Sequence, residues 1–338
     1  MAAHKRLTQK DIAQLAGVSQ ATVSLVLNGS PSDARRIPDD TRERVLKVIR
    51  DTGYVADPVA RRMVNGLNRI LGVFTYEPAF PSDQADFFLP FLLGIEDAAQ
   101  ELGYDLLLLT GAGKNRKIFG DNVRLRLADG CIVLGRQFDR DELARLVGGD
   151  FPFVAVGRRD DAGGPVPYVG SDYAEATAEL VARTKRMGHQ KLGFIGFKEG
   201  AESSADRWTG FQQEMAGAEL AFTHHHVGSD ANALLDGLLA AGVTCVFCTE
   251  LVDAIGLEAA ARARGVLVPN ALSIVVLGNH IRTEEPGRKF TSFAIPREAM
   301  GRGATQMLVR RLEQNEDVQQ QLLTCQMLEG DTLGPVSR

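Results

Sequence analysis

The chain has 338 residues, of which 44% are hydrophobic and 24% charged, and a formal net charge of −5. That length exceeds one small core and fits a small head with a body of two lobes; with no export signal and no run of 18 apolar residues, a cytoplasmic protein without a membrane partner is expected. Charge is segregated, since residues 1–66 hold 11 Lys plus Arg against 7 Asp plus Glu, net +4, while the remainder is net −9. A basic head on an acidic body suits a polyanion met through one end only.

Thr8-Gln9-Lys10-Asp11 offers a hydroxyl cap with an acid three residues on, and Ile12, Ala13, Leu15 and Ala16 supply an apolar helical face. The helix starts near residue 9 and stops near Gly17, because glycine takes the left-handed conformation of a tight inter-helix turn. Ser19 caps a second helix with Val23, Val26 and Leu27 inward and Gln20, Ala21, Ser24 and Asn28 outward. A small residue at 13, a glycine at 17 and a branched apolar residue at 23 form a helix-turn-helix pattern, which an ordinary helical hairpin also satisfies. A third helix is expected from about Pro38 to Thr52, with Val45, Val48 and Ile49 inward and Arg42, Arg44, Lys47 and Arg50 on solvated faces. The loop from Gly29 to Arg36 either lies along a phosphate backbone or is simply solvated.

Beyond residue 68 short apolar runs alternate with longer helical ones. Strands are expected at 70–75, 104–109, 130–134, 152–156, 167–170, 192–196, 221–227, 244–248, 273–277 and 320–328. Helices are expected near 88–102, 139–147, 172–187, 205–218, 231–241, 252–265 and 297–313. This rhythm implies largely parallel sheets covered by helices on both faces, with ligands at the carboxyl ends of the strands.

Three local patterns suggest other chemistry and are weak. Cys245 and Cys248 have CxxC spacing, but in a strand such residues point to opposite faces and cannot easily share a metal. His224 and His226 share a strand face with no acid or cysteine at ligand spacing. Gly111-Ala112-Gly113-Lys114 lacks the first glycine of a phosphate loop. No metal, cofactor, nucleophile-base pair or dinucleotide fingerprint is supported, so an enzyme is not expected.

The run Asp11-Ile12-Ala13-Gln14-Leu15-Ala16-Gly17-Val18-Ser19-Gln20-Ala21-Thr22-Val23-Ser24, then Asn28, Thr41-Arg42-Glu43-Arg44-Val45 and Gly53-Tyr54-Val55, resembles the lactose-repressor (LacI) family of bacterial transcription regulators. Gly94-Ile95-Glu96, Gly103-Tyr104, the stretch from Gly188 to Ile195 and Arg207-Trp208-Thr209-Gly210-Phe211 extend the resemblance through most of the chain. The resemblance implies an all-α helix-turn-helix head on an α/β, periplasmic-binding-protein-like body of two doubly wound lobes. The domains expected are a head over 1–56, a hinge helix and linker over 57–68, an N-terminal lobe over 69–167 plus 295–327, and a C-terminal lobe over 168–294 plus 328–338. Crossovers between lobes fall near Tyr168, Ala294 and Met327.

By the same resemblance, Thr8, Ser19, Thr22, Ser24, Asn28 and Thr41 hold phosphates of double-stranded DNA, and Gln20, Ala21 and Leu25 meet bases. Gln20 can pair with adenine, whereas Ala21 and Leu25 offer apolar contact. In the segment capped by Asp57 and Pro58, Val59, Ala60 and Met63 match a minor-groove wedge, with methionine where the family usually has leucine; the other reading is a plain linker. Effector contacts carried over are Tyr76, Phe80 and Arg207, with Glu250 either a ligand contact or paired within the protein and Arg158 either lining the cleft or facing solvent. Gly278-Asn279 replaces a usual pair of aspartates and Glu250-Leu251 a usual Asn-Asp, which argues against assuming a simple hexose. The function implied is a homodimeric repressor on a pseudo-palindromic operator, tuned by a small molecule; the alternative is a degenerate pocket, with control by a protein partner or by dimer geometry.

Overall fold

The computed structural model describes residues 7–28, 37–54, 67–77, 85–109, 117–118, 123–279, 288–317 and 319–336. The chain divides into two compact units, Met1–Arg69 and Ile70–Arg338.

The first unit is built from α1 (Gln9–Ala16), α2 (Gln20–Asn28) and α3 (Asp39–Thr52). The expected capping box forms: Thr8 Oγ1 accepts the N–H of Asp11 at 3.3 Å, and the Asp11 carboxylate accepts the N–H of Thr8 at 2.7 Å. Gly17 turns the chain at φ 65°. Ile12, Ala13, Ala16, Val23 and Val45 form the buried centre, with Val26, Leu27, Val48 and Ile49 packed around it. Leu15 does not join them and is 59% exposed. At ~100° per residue it lies about that angle away from the middle of the stripe formed by positions 12, 13 and 16. Arg44 is exposed as expected, yet its Nε donates to the carbonyl of Ala16 at 3.0 Å, fastening α3 to the end of α1.

The second unit holds two parallel sheets. The first runs in the order β11-β5-β4-β3-β1-β2 and the second β7-β6-β8-β9. The strands of the first sheet are β1 (Ile70–Thr75), β2 (Asp105–Leu109), β3 (Gly130–Leu134), β4 (Phe153–Val156), β5 (Tyr168–Ser171) and β11 (Gln320–Leu323). Those of the second are β6 (Lys191–Ile195), β7 (Glu219–His224), β8 (Cys245–Cys248) and β9 (Ser273–Val276). An antiparallel ribbon of β10 (Ser292–Ala294) and β12 (Gln326–Leu328) joins the lobes.

Helices cover both faces of each sheet, as strands buried on both sides require. In the first lobe, α4 (Ala85–Leu102) and α10 (Arg297–Gln314) pack on Leu71, Val73, Ile132 and Val154, while α5 (Arg140–Val147) packs on Cys131, Val133 and Ala155. In the second lobe, α6 (Tyr173–Arg186) and α7 (Glu202–Gln213) cover the face bearing Phe194, Cys245 and Phe247. On the opposite face α8 (Ala231–Ala240) and α9 (Leu251–Ala263) cover Val246 and Cys248. The two cysteines are therefore on opposite faces of β8, each fully buried. The crossing of α4 and α10 depends on two glycines, because a Cβ on Gly94 would sit 2.0 Å from the carbonyl oxygen of Glu298 and one on Gly301 2.2 Å from that of Phe91. Backbone meets backbone there.

Five expectations need correction. Residues 320–328 are two strands in different sheets, because the chain changes partner from β5 to β10 between Leu323 and Gln326. The strand β10 is absent from the expected elements; three residues carry too little pattern to be read. Tyr168 begins β5, which belongs to the first sheet, so the chain leaves the first lobe after Ser171 rather than at residue 168. The helix expected at 205–218 runs from Glu202 to Gln213, and the strand expected at 221–227 is Glu219–His224.

Candidate functional site

Two places gather exposed chemistry. In the first unit, Ser19 Oγ accepts the N–H of Thr22 at 3.1 Å and lies 2.9 Å from Thr22 Oγ1, fixing the start of α2. Gln20, Ala21 and Leu25 then share one exposed face, with Leu25 39% exposed. Thr22, Ser24 and Thr41 are half-buried at its margin, and Thr41 Oγ1 donates to Asp40 at 3.4 Å. Asn28 closes α2. Lys10, Arg42, Lys47 and Arg50 are exposed cations on the same small unit. A helix start with a mixed polar and apolar outer face, flanked by cations, is suited to lie in a DNA groove. The hinge residues Val59, Ala60 and Met63, the loop from Gly29 to Arg36, the loop Gly111–Lys114 and Phe80 lie outside the described residues.

In the second unit the carboxyl ends of the strands face each other across a cleft bridged by side chains. Arg158, following β4, places Nε 2.9 and 2.8 Å from the two carboxylate oxygens of Asp206 on α7, and Nη1 2.6 Å from Asp160. The hydrogen bond with Asp206 holds its guanidinium still more firmly protonated. Arg159 is 4% exposed; its Nη1 meets Glu202 at 2.9 Å, its Nη2 donates to the carbonyl of Gly135 at 2.6 Å, and the guanidinium lies 3.9 Å above the Phe138 ring. Glu202 and Asp206 are one turn apart on α7, so two successive arginines of one lobe grip one face of a helix in the other.

Behind this double clasp, Arg207 donates from Nε to the carbonyl of Leu277 at 2.7 Å and from Nη1 to that of Ser203 at 2.8 Å, and lies 4.0 Å over the Tyr173 ring. Gly278, at φ 129°, gives it room: a Cβ there would stand 3.3 Å from Arg207 Nη2. Asn279 Oδ1 accepts from the backbone N–H of Ile295 at 2.8 Å and from Arg297 Nη1 at 3.1 Å, and its carbonyl accepts from Arg297 Nη2 at 2.8 Å. Tyr76 packs edge-on against Phe74 at 4.9 Å and against Phe138 at 5.4 Å; burial, with Glu142 nearby, pushes its phenol up. Glu250 is the half-buried N-cap residue of α9, beside the buried Asp253. His224 Nε2 lies 2.7 Å from Ser229 Oγ, and among the described residues no group of three or more His, Cys, Asp or Glu could hold a metal. Two open depressions, beside Arg262 and Arg288 and beside His189 and Thr244, lie toward the amino ends of the second sheet, away from this cleft.

The comparisons with known proteins bear on both units. A family model described as bacterial regulatory proteins, lacI family, matches residues 8–57, and one described as a periplasmic binding protein-like domain matches residues 181–333. The HTH-type transcriptional regulator CelR of Thermobifida fusca is 28% identical over 92% of this chain and 94% of its own. The chain joins a lacI-family helix-turn-helix domain to a periplasmic-binding-protein-like domain. Its fold is shared by a lac repressor dimer bound to operator, at TM-score 0.76 and 17% identity over 98% of this chain and 100% of that one. It is shared too by a CelR–cellobiose complex, at TM-score 0.64 and 24% identity over 97% and 100% of the two chains.

With these two domains the chain is a DNA-binding transcriptional regulator and not an enzyme. Several cleft residues differ from what its sequence suggests. Arg158 is half-buried at the cleft, and its guanidinium is engaged by Asp206 and Asp160. Asn279 is likewise engaged within the protein and positions Arg297. Arg159, Glu202, Asp206, Tyr173 and Arg297 are missed by sequence reasoning. The one visible signal is the Arg-Arg doublet followed by two acids four residues apart.

Proposed function

We propose that this regulator is a homodimeric repressor that reads a pseudo-palindromic operator through α2 and is tuned by a small molecule bound between the lobes of its body. The observation that carries this is the double clasp of Arg158 and Arg159 on Asp206 and Glu202. It joins the lobes through side chains alone, and a ligand in the same cleft changes how firmly they close. The similar fold of CelR in its complex with cellobiose supports a ligand of sugar size.

On the DNA side, Ser19, Thr22, Ser24, Asn28 and Thr41, with Thr8, hold phosphates, and Gln20, Ala21 and Leu25 meet bases. Val59, Ala60 and Met63 form the minor-groove wedge. In the cleft Arg207 grips the ligand, Tyr76 and Phe80 wall it, and Glu250 accepts from a hydroxyl. The protein acts in the cytoplasm, where the DNA is. No described helix is long and apolar enough to cross a membrane.

Selection of bound duplexes from a random pool, followed by footprinting with and without candidate ligands, tests the reading. Two half-sites related by a dyad, with occupancy that changes on adding ligand, are expected. A single asymmetric half-site overturns the dimeric operator.

A further inference from the structure

Three arginines near the cleft make no ion pair with a carboxylate at contact distance among the described residues, although Asp206 lies close enough to Arg207 to feel its charge. Arg207 uses two of its five N–H bonds on the carbonyls of Leu277 and Ser203. Arg297, 7% exposed, gives two to Asn279 and leaves its buried Nε without a partner. Arg136 lies with its guanidinium 4.6 Å from the centre of the Phe87 ring, and Arg297 lies 6.0 Å from the same ring. Loss of water disfavours the charge on Arg297, and the positive charges of Arg207 and Arg136 disfavour it further. Each of the two therefore lies near Arg297. Asp206 and Glu202, the acids that line this region from α7, are already held by Arg158 and Arg159. Glu77 accepts the backbone N–H of Arg136 at 3.1 Å.

Placement points the same way. Arg136 follows β3, Arg207 is tied to the carbonyl that follows β9, Arg297 opens α10, and Phe87 lies in the first turn of the helix after β1. All stand where parallel sheets bind ligands. Arg297 is buried and Arg207 half-buried, while Arg136 stands exposed at the rim, so it is the buried charge of Arg297 that is costly unless an opposite charge joins it; guanidinium groups match carboxylate and phosphate oxygens with paired N–H donors.

We infer that the cleft ligand is an oxyanion on a small hydroxylated molecule, held by Arg136, Arg207 and Arg297 with its carbon frame against Phe87. This rests on the reading of the cleft as the effector site. A neutral sugar supplies acceptors for some of these N–H groups but leaves the charge unopposed.

The test uses the full-length protein, with calorimetric titration and thermal melting. D-Glucose and cellobiose are the neutral probes, D-gluconate and D-glucose 6-phosphate the anionic ones, and inorganic phosphate separates a bare anion from a hydroxylated one. At least one hydroxylated anion is expected to bind more tightly than both neutral probes. Arg136→Gln and Arg297→Gln are each expected to weaken it about ten-fold or more, while Arg302→Gln, on the outer face of α10 beside Asp97 and Glu101, leaves it unchanged. Whether gluconate or the phosphate ester binds better identifies the oxyanion. Tighter binding of a neutral probe, or anion binding indifferent to Arg136→Gln and Arg297→Gln, overturns the inference and leaves the effector site standing. If no probe of either charge binds, the small-molecule reading falls with it.

Discussion

Arg159 and Glu202 meet at 2.9 Å across the two lobes, with the arginine 4% and the glutamate 19% exposed. Burial pushes the Arg159 guanidinium toward losing its proton, and Glu202 opposes that. Removing one partner of a buried pair strands the other charge. Glu202→Gln is expected to lower the unfolding free energy of the body by about 3 kcal/mol, measured by urea denaturation as a lower midpoint at unchanged slope. A loss below about 0.5 kcal/mol would show that the pair is solvated and does not hold the lobes.

Ser19→Ala removes the acceptor for the Thr22 N–H. A lost N-cap costs about 1 kcal/mol. Far-UV circular dichroism of the full chain is expected to show earlier melting of the head, and binding of all DNA sequences is expected to weaken together. Gln20→Ala leaves the head's stability unchanged and lowers preference at a single base pair, by roughly 1–3 kcal/mol. Equal losses at every base pair would sink the base-reading role of Gln20.

His189 is buried, with Nε2 donating to the carbonyl of Gly334 at 2.8 Å and Nδ1 3.0 Å from Thr244 Oγ1. Burial lowers its pKa from 6.5. A histidine kept neutral by folding contributes its full stability above its unfolded value and loses it as pH falls through the lower folded value. The urea midpoint is therefore expected to fall from about pH 7 to about pH 5, and to fall less in His189→Gln. Identical profiles for the two proteins would remove His189 as the cause.

Gly301→Ala places a methyl group 2.2 Å from the carbonyl oxygen of Phe91, so α4 and α10 must separate. Overpacking of this kind costs about 1–3 kcal/mol. Thermal melting should show a lower midpoint for the body. Gly265→Ala, where nothing lies within 4 Å, serves as contrast: its only penalty is its φ of 70°.

The head is legible in the sequence because its signals are local. Thr8 and Asp11 cap one helix, Gly17 turns the chain, and Ser19 caps the next, all within twelve residues. The body strands are legible because strands buried on both faces, such as Gly130–Leu134, read as unbroken apolar runs. Pairing is not legible. Nothing in Gln320–Leu328 announces that its first half joins β5 and its second half β10. The cleft is least legible of all, since Arg158 meets Asp206 across 48 residues and Arg297 meets Asn279 across 18. Resemblance supplies Arg207, but whether Arg158 or Asn279 stands free depends on partners that only the folded chain brings near.

The placement of α10 and β11 imposes an order on biosynthesis. The head is finished when about Tyr54 has left the ribosome, and its caps and core need nothing later. The first lobe, begun at Ile70, still lacks the helix that carries Met300, Met307 and Leu308 and the edge strand Gln320–Leu323. The second lobe waits for Thr332, which closes on Ile274. A growing chain therefore displays a folded, basic head long before either lobe can close, and its body must be shielded until translation is almost over.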